Sequence, residues 1–320
     1  MWTFVSMFFN LDKFYKKNNS SDYNSSTFYI EKFKYLIELN IQLIIYTDQE
    51  VHDILLPYSS INTKFIITTF EEIELFPYIQ KLYKIRENNP IYHNSRNIPE
   101  WCLTTMTKNE AINKAIDLNP FNSEIFCWMD FGFYRPHHSY IDYSIEQLKN
   151  QLKLLQNSNI YKLNSIHIGF INWINKHIYN DINSFYKNGG PCTVSGQFFF
   201  GNKEAFNKLK INTLNIFKEH ISQNYFHADE PIFFYTILKY PDLFTPFATD
   251  YFCAPFDVIF PQKRTSVSTG LLIPNLLKDN QINFAKILIE RLLISHSLKK
   301  IVLSDENLKF YEKVLLNVTF

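Results

Sequence analysis

The sequence predicts an α/β domain with a Rossmann-like, mostly parallel central sheet flanked by helices, and a helical tail. Short apolar runs alternate with helix-patterned segments up to Asp130, an order that produces parallel crossovers. The 320 residues are enough to bury a large core, and the last part of the chain carries amphipathic helical patterns. We expect one unit over residues 1–265, divided near residue 135, with a helical extension over 266–320 packed on it.

Strands are predicted where short runs rich in β-branched and aromatic residues end in turn-forming residues. These runs cover residues 3–9, 41–46, 64–69, 124–129, 165–171 and 193–200. The first two runs flank a helix-patterned segment at 28–39, and this order implies a right-handed parallel crossover.

Helices are predicted where apolar residues recur at helical spacing. Such segments cover residues 28–39, 71–86, 101–118, 145–155, 229–238, 282–297 and 306–316, and another helix begins near Lys203. We expect Pro77 to kink or divide its helix. Asn119 should end the helix over 101–118, because a residue before proline disfavours α geometry.

Charge and cysteine content argue against several classes of protein. The formal net charge is +1, so no strong field would attract nucleic acid. No stretch approaches the roughly 18 apolar residues of a membrane span, and the apolar start lacks the basic region of a signal peptide. Cysteines are scattered, without a close pair for zinc or redox chemistry: Cys102, Cys127, Cys192 and Cys253. We expect a cytoplasmic protein with no nucleic-acid partner and no membrane span.

Glycine is scarce, with seven residues and none before Gly132. Both G-x-G-x-x-G and the Walker loop need glycines so that backbone N–H groups can approach phosphates closely. A nucleotide bound by the N-terminal half must therefore have its diphosphate charge balanced by a cation or by side chains.

Three polar residues follow predicted strands, at the carboxyl ends where ligands bind in open parallel sheets: Asn10, Asp48 and Asp130. Asp48 could equally cap the helix that Gln49 would open. Asp130 could equally be a solvated turn residue beside Gly132.

Three motifs together resemble the signatures of the HtrL/YibB family, bacterial and viral proteins of GT-A-like character, over most of residues 1–260. The motifs are Phe4-Val5-Ser6-Met7-Phe8-Phe9, Trp128-Met129-Asp130-Phe131-Gly132 and Gly196-Gln197-Phe198-Phe199-Phe200-Gly201. The resemblance implies a GT-A fold, a UDP-sugar or similar nucleotide-sugar donor bound by about residues 1–135, and a glycan or other hydroxyl acceptor bound by about 136–265. It also implies a divalent cation, Mn²⁺ or Mg²⁺, bridging the protein and the diphosphate.

On this resemblance, Asp130 holds the cation. Gly132 stands where the family fold has the second carboxylate of an Asp-x-Asp pair. One carboxylate can still anchor a hydrated octahedral cation whose other ligands are phosphate oxygens and waters. Ser6, Asn10 and Asp48 are the candidates for contacts with the nucleoside.

The remaining candidates lie beside the donor or the acceptor. Lys108 could reach the donor phosphate or sugar, or it could be a solvated lysine on a helix face. Gly196 admits close approach of a ligand or bends a core strand, and Gln197 can hydrogen-bond a hydroxyl. Asp229 is a suitable N-cap with Glu230 in the first turn. Either carboxylate could instead take the proton of an acceptor hydroxyl, with Asp229 slightly favoured.

Two rival functions stay open at this point. A sugar nucleotidyltransferase usually has a glycine-rich, basic loop after its first strand, and this chain has no glycine there. A catalytically silent carbohydrate-binding or scaffolding protein could retain the same fold. For an enzyme, we expect Asp130 at the carboxyl end of an interior strand and beside the largest cleft.

Overall fold

A computed structural model describes residues 1–17, 25–92, 98–132, 144–158, 164–250, 254–259 and 263–316. Its centre is a seven-stranded sheet of order β3-β2-β1-β4-β6-β5-β7. The strands are β1 Trp2–Phe8, β2 Leu43–Thr47, β3 Thr63–Ile67, β4 Ile125–Met129, β5 Ile166–Phe170, β6 Val194–Asn202 and β7 Phe244–Ala248. Strand β6 is antiparallel to its neighbours β4 and β5, and the other strand pairs are parallel.

Helices cover both faces of the sheet. They are α1 Asp12–Lys17, α2 Ser26–Glu38, α3 Gln49–Leu55, α4 Ile79–Asn88, α5 Pro99–Met106, α6 Lys108–Leu118, α7 Ile145–Asn157, α8 Lys176–Tyr179, α9 Ile182–Lys187, α10 Lys203–Ser222, α11 Asp229–Lys239, α12 Ala254–Asp257, α13 Lys263–Lys278, α14 Ile282–Ser297 and α15 Asp305–Leu315. One apolar core includes residues of α5, α6, α10, α11 and α14, and the core on the opposite face includes residues of α2, α3 and α7. The mostly parallel sheet, the flanking helices and the helical C-terminal segment confirm the predicted fold class.

Two predicted helices are divided in the structure. The segment over 71–86 begins as two short 3₁₀ turns, Phe70–Glu72 and Phe76–Tyr78, and becomes α-helical only in α4. Pro77 lies in the first turn of such a segment, where its missing N–H has no cost. The segment over 101–118 breaks at Thr107, whose N–H and hydroxyl both bond back to the Leu103 carbonyl at the end of α5.

The sequence prediction missed β7 and α13, each of which contains an internal proline. Proline is tolerated in β7 because this strand lies at the edge of the sheet, where an amide N–H can be missing without loss of a ladder bond. Pro274 lies inside α13. Helix α13 crosses residue 265, and the division into units near 135 and 265 stays a prediction.

The C-terminal helices are tied to the rest of the chain by both apolar and polar contacts. Phe284 of α14 packs edge-on against Phe170 at the end of β5. The Trp173 indole N–H and the Tyr179 hydroxyl both donate to the same oxygen of Asp279, over 2.9 and 3.0 Å. Among the described residues, none of the helices has the length and apolar character to cross a membrane.

Candidate functional site

The site is centred on Asp130, which follows β4 in the interior of the sheet, between β1 and β6. The Asp130 backbone N–H donates to the Gln197 carbonyl over 2.8 Å, so this backbone bond continues the pairing of β4 with β6 to the strand end. About a third of the Asp130 side chain is exposed (34%). The prediction that Asp130 lies at the carboxyl end of an interior strand is confirmed.

Lys108 opens α6 and points into the protein rather than into solvent. Its ammonium group is 2.8 Å from Asp229 Oδ2 and 3.5 Å from Asp130 Oδ1. It also donates to the Gly196 carbonyl over 2.9 Å and lies 5.4 Å from the centre of the Trp128 ring. The residue is 4% exposed, so the alternative of a solvated lysine is wrong.

The charges of this group depend on one another, and we call Lys108, Asp130, Asp229 and Glu230 the Lys108 cluster. Burial works against the charged form of Lys108, but the Asp130, Asp229 and Glu230 carboxylates raise its pKa well above its usual range. Burial raises the pKa of Asp229 to about 7, against the opposing effect of Lys108. One ammonium and three carboxylates, when all are ionised, give the cluster a net charge of −2 (+1 − 3).

Asp229 and Glu230 begin α11, but neither caps it. Ala228 occupies the cap position and no side chain bonds to the free N–H groups, so the alternative of Asp229 as N-cap is wrong. The Asp229 carboxylate turns toward Lys108 instead. Glu230 Oε2 accepts from the Cys192 thiol over 3.0 Å, and its Oε1 lies 3.4 Å from the Gly196 amide nitrogen, which donates to it.

Gly196 makes room for both carboxylates. A Cβ atom at this position would lie 2.1 Å from Asp229 Oδ2 and 3.2 Å from Glu230 Cγ. Any side chain would therefore push Asp229 away from Lys108. The alternative interpretation of Gly196, a bend in a core strand, is also observed. Ile168 pairs with Phe199 and Gly169 pairs with Ser195, so residues 196–198 form a bulge that is out of register with β5.

Gln197 lies within this bulge and is 3% exposed. Its side-chain oxygen has no hydrogen-bond partner among the residues that the structure describes. A buried amide oxygen left without a donor is costly, which makes it a candidate acceptor for the hydroxyl of a ligand.

Asn10 and Asp48 form a second polar group, at the ends of β1 and β2. Asp48 caps α3 by accepting from the Val51 N–H, and its other oxygen accepts from the Asn10 N–H, both over 2.9 Å. The Asn10 side chain accepts from the Ser26 hydroxyl and donates to Glu50. The capping alternative for Asp48 is therefore observed, and the nucleoside contacts of both residues stay a prediction.

Ser6 and Gly132 are the remaining two predicted site residues. Ser6 lies inside β1, fully buried, and its hydroxyl has no hydrogen-bond partner in the described part of the chain. The structure thus places it below the strand end, away from the edge. Gly132 lies in the turn after Phe131. The Phe131 ring stacks between Phe8 and Phe33, at centroid distances of 4.3 and 3.8 Å, and so fixes the chain directly after Asp130.

Two cavities among the described residues lie away from Asp130. One of about 770 Å³ is lined by Met1, Trp2 and Gln42, at the amino-terminal edge of the sheet. A second, of about 490 Å³, lies between α9, α10 and α11. Asp130 lines neither of these two cavities, and its place beside the largest cleft stays a prediction.

A divalent cation could be held by few protein ligands here. The described residues contain no group of three or more histidine, cysteine or acidic side chains that could enclose a metal ion. Asp130 is the partly exposed carboxylate of the Lys108 cluster, whose net charge is negative. This fits a cation with one protein ligand, water and phosphate oxygens completing its shell.

Sequence reasoning missed two residues of the site. Cys192 donates to Glu230 from a position without any motif. Trp128 belongs to the motif around Asp130, but it was given no role there, and its ring lies against the Lys108 ammonium group. The sequence shows that Trp128 lies two residues before Asp130. It does not show that Lys108 lies over the Trp128 ring, because that contact forms only when α6 packs against the sheet.

Comparison with known families gives one match. The model of a family described as "Bacterial protein of unknown function (HtrL_YibB)" matches residues 3–258. No curated protein matches the chain.

Solved structures share parts of the fold. Mouse xyloside xylosyltransferase 1, apo form, is 12% identical with a TM-score of 0.39, over 77% of this chain and 84% of that one. Core-mannan synthase A from Aspergillus fumigatus, in an Mn/GDP form, is 10% identical with a TM-score of 0.38, over 77% and 72%. A CMP:2-keto-3-deoxy-manno-octonic acid synthetase complexed with CTP is 9% identical with a TM-score of 0.34, over 78% and 90%. Likeness at this level carries no information about substrate.

Replacing Gly196 by alanine tests the packing of the carboxylates. The new Cβ would displace Asp229 from Lys108, so Gly196→Ala should lower the free energy of unfolding by about 3 kcal/mol or more. Gly270→Ala, inside α13, is the control because its Cβ would meet no described atom within 4 Å. That change should raise stability by about 0.5–1 kcal/mol. Urea unfolding measures both, and a Gly196→Ala protein as stable as wild type would contradict the geometry.

Removing the buried ammonium tests the ion pair itself. Lys108→Met should cost about 3–5 kcal/mol of unfolding free energy, because it leaves buried carboxylates without a counter-charge. Lys208→Met is the control, since Lys208 pairs with Glu204 on an exposed face and its loss should cost about 0.5 kcal/mol or less. In a double-mutant cycle with Asp229→Asn, the combined loss should fall short of the sum by about 1 kcal/mol or more. Equal costs for the two lysine variants would refute the role of Lys108.

Proposed function

The chain belongs to the HtrL_YibB family, and from this premise we propose that it transfers a glycosyl group from a nucleotide-diphosphate sugar, such as a UDP-sugar, to a hydroxyl of a glycan or another acceptor. The observation that carries the proposal is the Lys108 cluster at the carboxyl edge of β4. In this cluster a partly exposed carboxylate, Asp130, and a buried carboxylate of raised pKa, Asp229, lie 3.5 and 2.8 Å from one ammonium group.

The donor side requires a cation. A diphosphate would be repelled by a cluster of net charge −2, and the N-terminal half has no glycine loop whose backbone could receive it. Asp130 would hold Mn²⁺ or Mg²⁺, which supplies positive charge to the departing nucleotide diphosphate. The Gln197 amide would accept a hydroxyl of the donor sugar, and Asn10 and Asp48 would contact the nucleoside.

Lys108 acts in this proposal as a positioning residue. Its ammonium group already faces two carboxylates and a carbonyl, so it has little capacity left to bind phosphate. It fixes Asp130 and Asp229 relative to each other. This differs from the direct contact with the donor phosphate or sugar that the sequence left open for Lys108.

On the acceptor side, the geometry favours Asp229 over Glu230 as general base. Both oxygens of Glu230 lie against protein donors, the Cys192 thiol and the Gly196 N–H. Asp229 has one oxygen bound to Lys108, and burial raises its pKa above that of an ordinary carboxyl group, which makes its ionised form a stronger base.

A silent carbohydrate-binding protein is the second candidate. It is favoured by Gly132 at the position of the second carboxylate and by the deep burial of Asp229 and Glu230. Release of sugar or transfer to water in the presence of a donor distinguishes the enzyme from this alternative. Thermal-shift screening of nucleotide sugars, with and without Mn²⁺, identifies the donor because a ligand of the native state raises the unfolding temperature.

Cation dependence of diphosphate binding is the first functional prediction. UDP should bind more tightly with Mn²⁺ or Mg²⁺ than with a chelator, and Asp130→Ala should abolish this gain while the protein stays folded. Asp117→Ala is the control, because its side chain is 77% exposed and lies on α6 away from the strand end. Isothermal titration measures the affinities. Equal affinity for UDP in metal and in chelator would exclude the cation's role.

The general base is tested by isosteric changes. Asp229→Asn should lower turnover by about 10²- to 10⁴-fold, the contribution of a positioned base, with donor affinity retained because asparagine can still accept from Lys108. Glu230→Gln tests the other carboxylate in the same assay, under conditions in which both variants are folded. If both retain near-normal turnover, neither carboxylate is the base and a retaining mechanism replaces this one.

A further inference from the structure

The cavity of about 490 Å³ lies between the end of α8, the start of α9, and helices α10 and α11. Its walls combine aromatic rings with amide and charged side chains. None of these residues belongs to the Lys108 cluster. We call this cavity the α11 pocket.

Two amide side chains of the pocket are free to bind a ligand. Asn180 and Gln223 are exposed, and their side chains make no hydrogen bond within the described part of the chain. Each amide offers an acceptor oxygen and two donor hydrogens, which is the pattern that neighbouring hydroxyl groups of a sugar satisfy. At the rim, Lys239 and Glu219 pair over 3.1 Å, and both are half-exposed.

The aromatic walls are held rigidly. The Tyr235 hydroxyl donates to the Tyr179 carbonyl over 2.9 Å, and the Tyr179 hydroxyl donates to Asp279 over 3.0 Å. Both residues are partly buried. Ring surfaces already fixed in place provide contact area for a ligand without a further loss of side-chain entropy.

The pocket has little charge to offer an ionic ligand. The Glu219 and Lys239 charges offset each other, and burial lowers the pKa of His220 to about 4, so that this residue is neutral. The Asp181 carboxylate caps α9 by accepting from the Asn183 and Ser184 N–H groups. Hydrogen bonds from Ser184 and Asn183 lower its pKa, so it stays ionised and leaves the pocket with a net charge of −1. A neutral, hydroxyl-rich ligand therefore fits better than a nucleotide or an acidic glycan.

The position of the pocket connects it to the proposed acceptor site. Tyr235 and Lys239 follow Asp229 on α11 by six and ten residues, which corresponds to about 9–15 Å along the helix axis. A short oligosaccharide can cover such a distance.

We propose that the α11 pocket binds a neutral oligosaccharide and anchors the body of a glycan acceptor whose end reaches Asp229. The second half of this statement rests on the proposed function, whereas the binding of an oligosaccharide does not. Hydroxyls bind to Asn180 and Gln223, and the apolar face of a sugar ring lies against Tyr179 or Tyr235.

The test measures binding of maltotriose, cellotriose and chitotriose to the full chain by NMR, without nucleotide. At least one trisaccharide should bind with a Kd on the order of 1 mM. The double variant Asn180→Ala, Gln223→Ala should weaken it about fivefold or more, the effect of losing a hydrogen bond. Both positions are exposed, so the fold should survive. Asn215→Ala is the matched control, an exposed amide on α10 outside the pocket.

Failure of this proposal is distinguishable from failure of the proposed function. If none of the three trisaccharides binds, or if the double variant binds them as wild type does, the α11 pocket is not a glycan site. Asp130→Ala should keep trisaccharide binding, because it alters only the donor side. Trisaccharide binding without any UDP binding would retain the pocket and overturn the transferase.

Discussion

The buried ammonium group of Lys108 is the interaction on which the site depends. It holds together the end of β4, the bulge of β6 and the start of α11, and its partner Asp229 lies 121 residues away in the sequence. An ammonium group leaves water only if its donors are satisfied and its charge is matched. Two features meet this requirement. Gly196 has no side chain that would displace Asp229, and Asp229 is directed toward Lys108 instead of capping its helix.

The carboxyl edge of the sheet carries two polar groups of different construction. Around Asn10 and Asp48, nearly every acceptor has a neutral backbone or side-chain donor, and the group ties β1 to α3. Around Lys108, one ammonium group faces three carboxylates in a drier setting, and one of these carboxylates keeps contact with solvent. The first group is therefore held by hydrogen bonds from neutral donors, whereas the second depends on the balance of its charges.

Much of the fold could be predicted from the sequence because it depends on local patterns. The buried strands before Asp48 and Asp130 are short apolar runs, and α14 was predicted with its observed bounds, Ile282–Ser297. Strand β7 was not predicted because it contains Pro246. Proline is accepted at the edge of a sheet, but the edge position of a strand depends on the whole sheet and not on its local sequence. The site was harder. Asp130 was identified from its strand end and its motif, but the burial of Lys108 and the preference of Asp229 for that lysine over a cap arise from packing between distant segments.

Each edge strand of the sheet carries a residue that opposes pairing with a strand of another molecule. Strand β3 exposes Lys64 at one edge, and β7 at the other contains Pro246 and packs against α14. A lysine and a proline on edge strands oppose the addition of a further strand from another molecule. The two residues therefore disfavour intermolecular β-structure that grows from either of these edge strands.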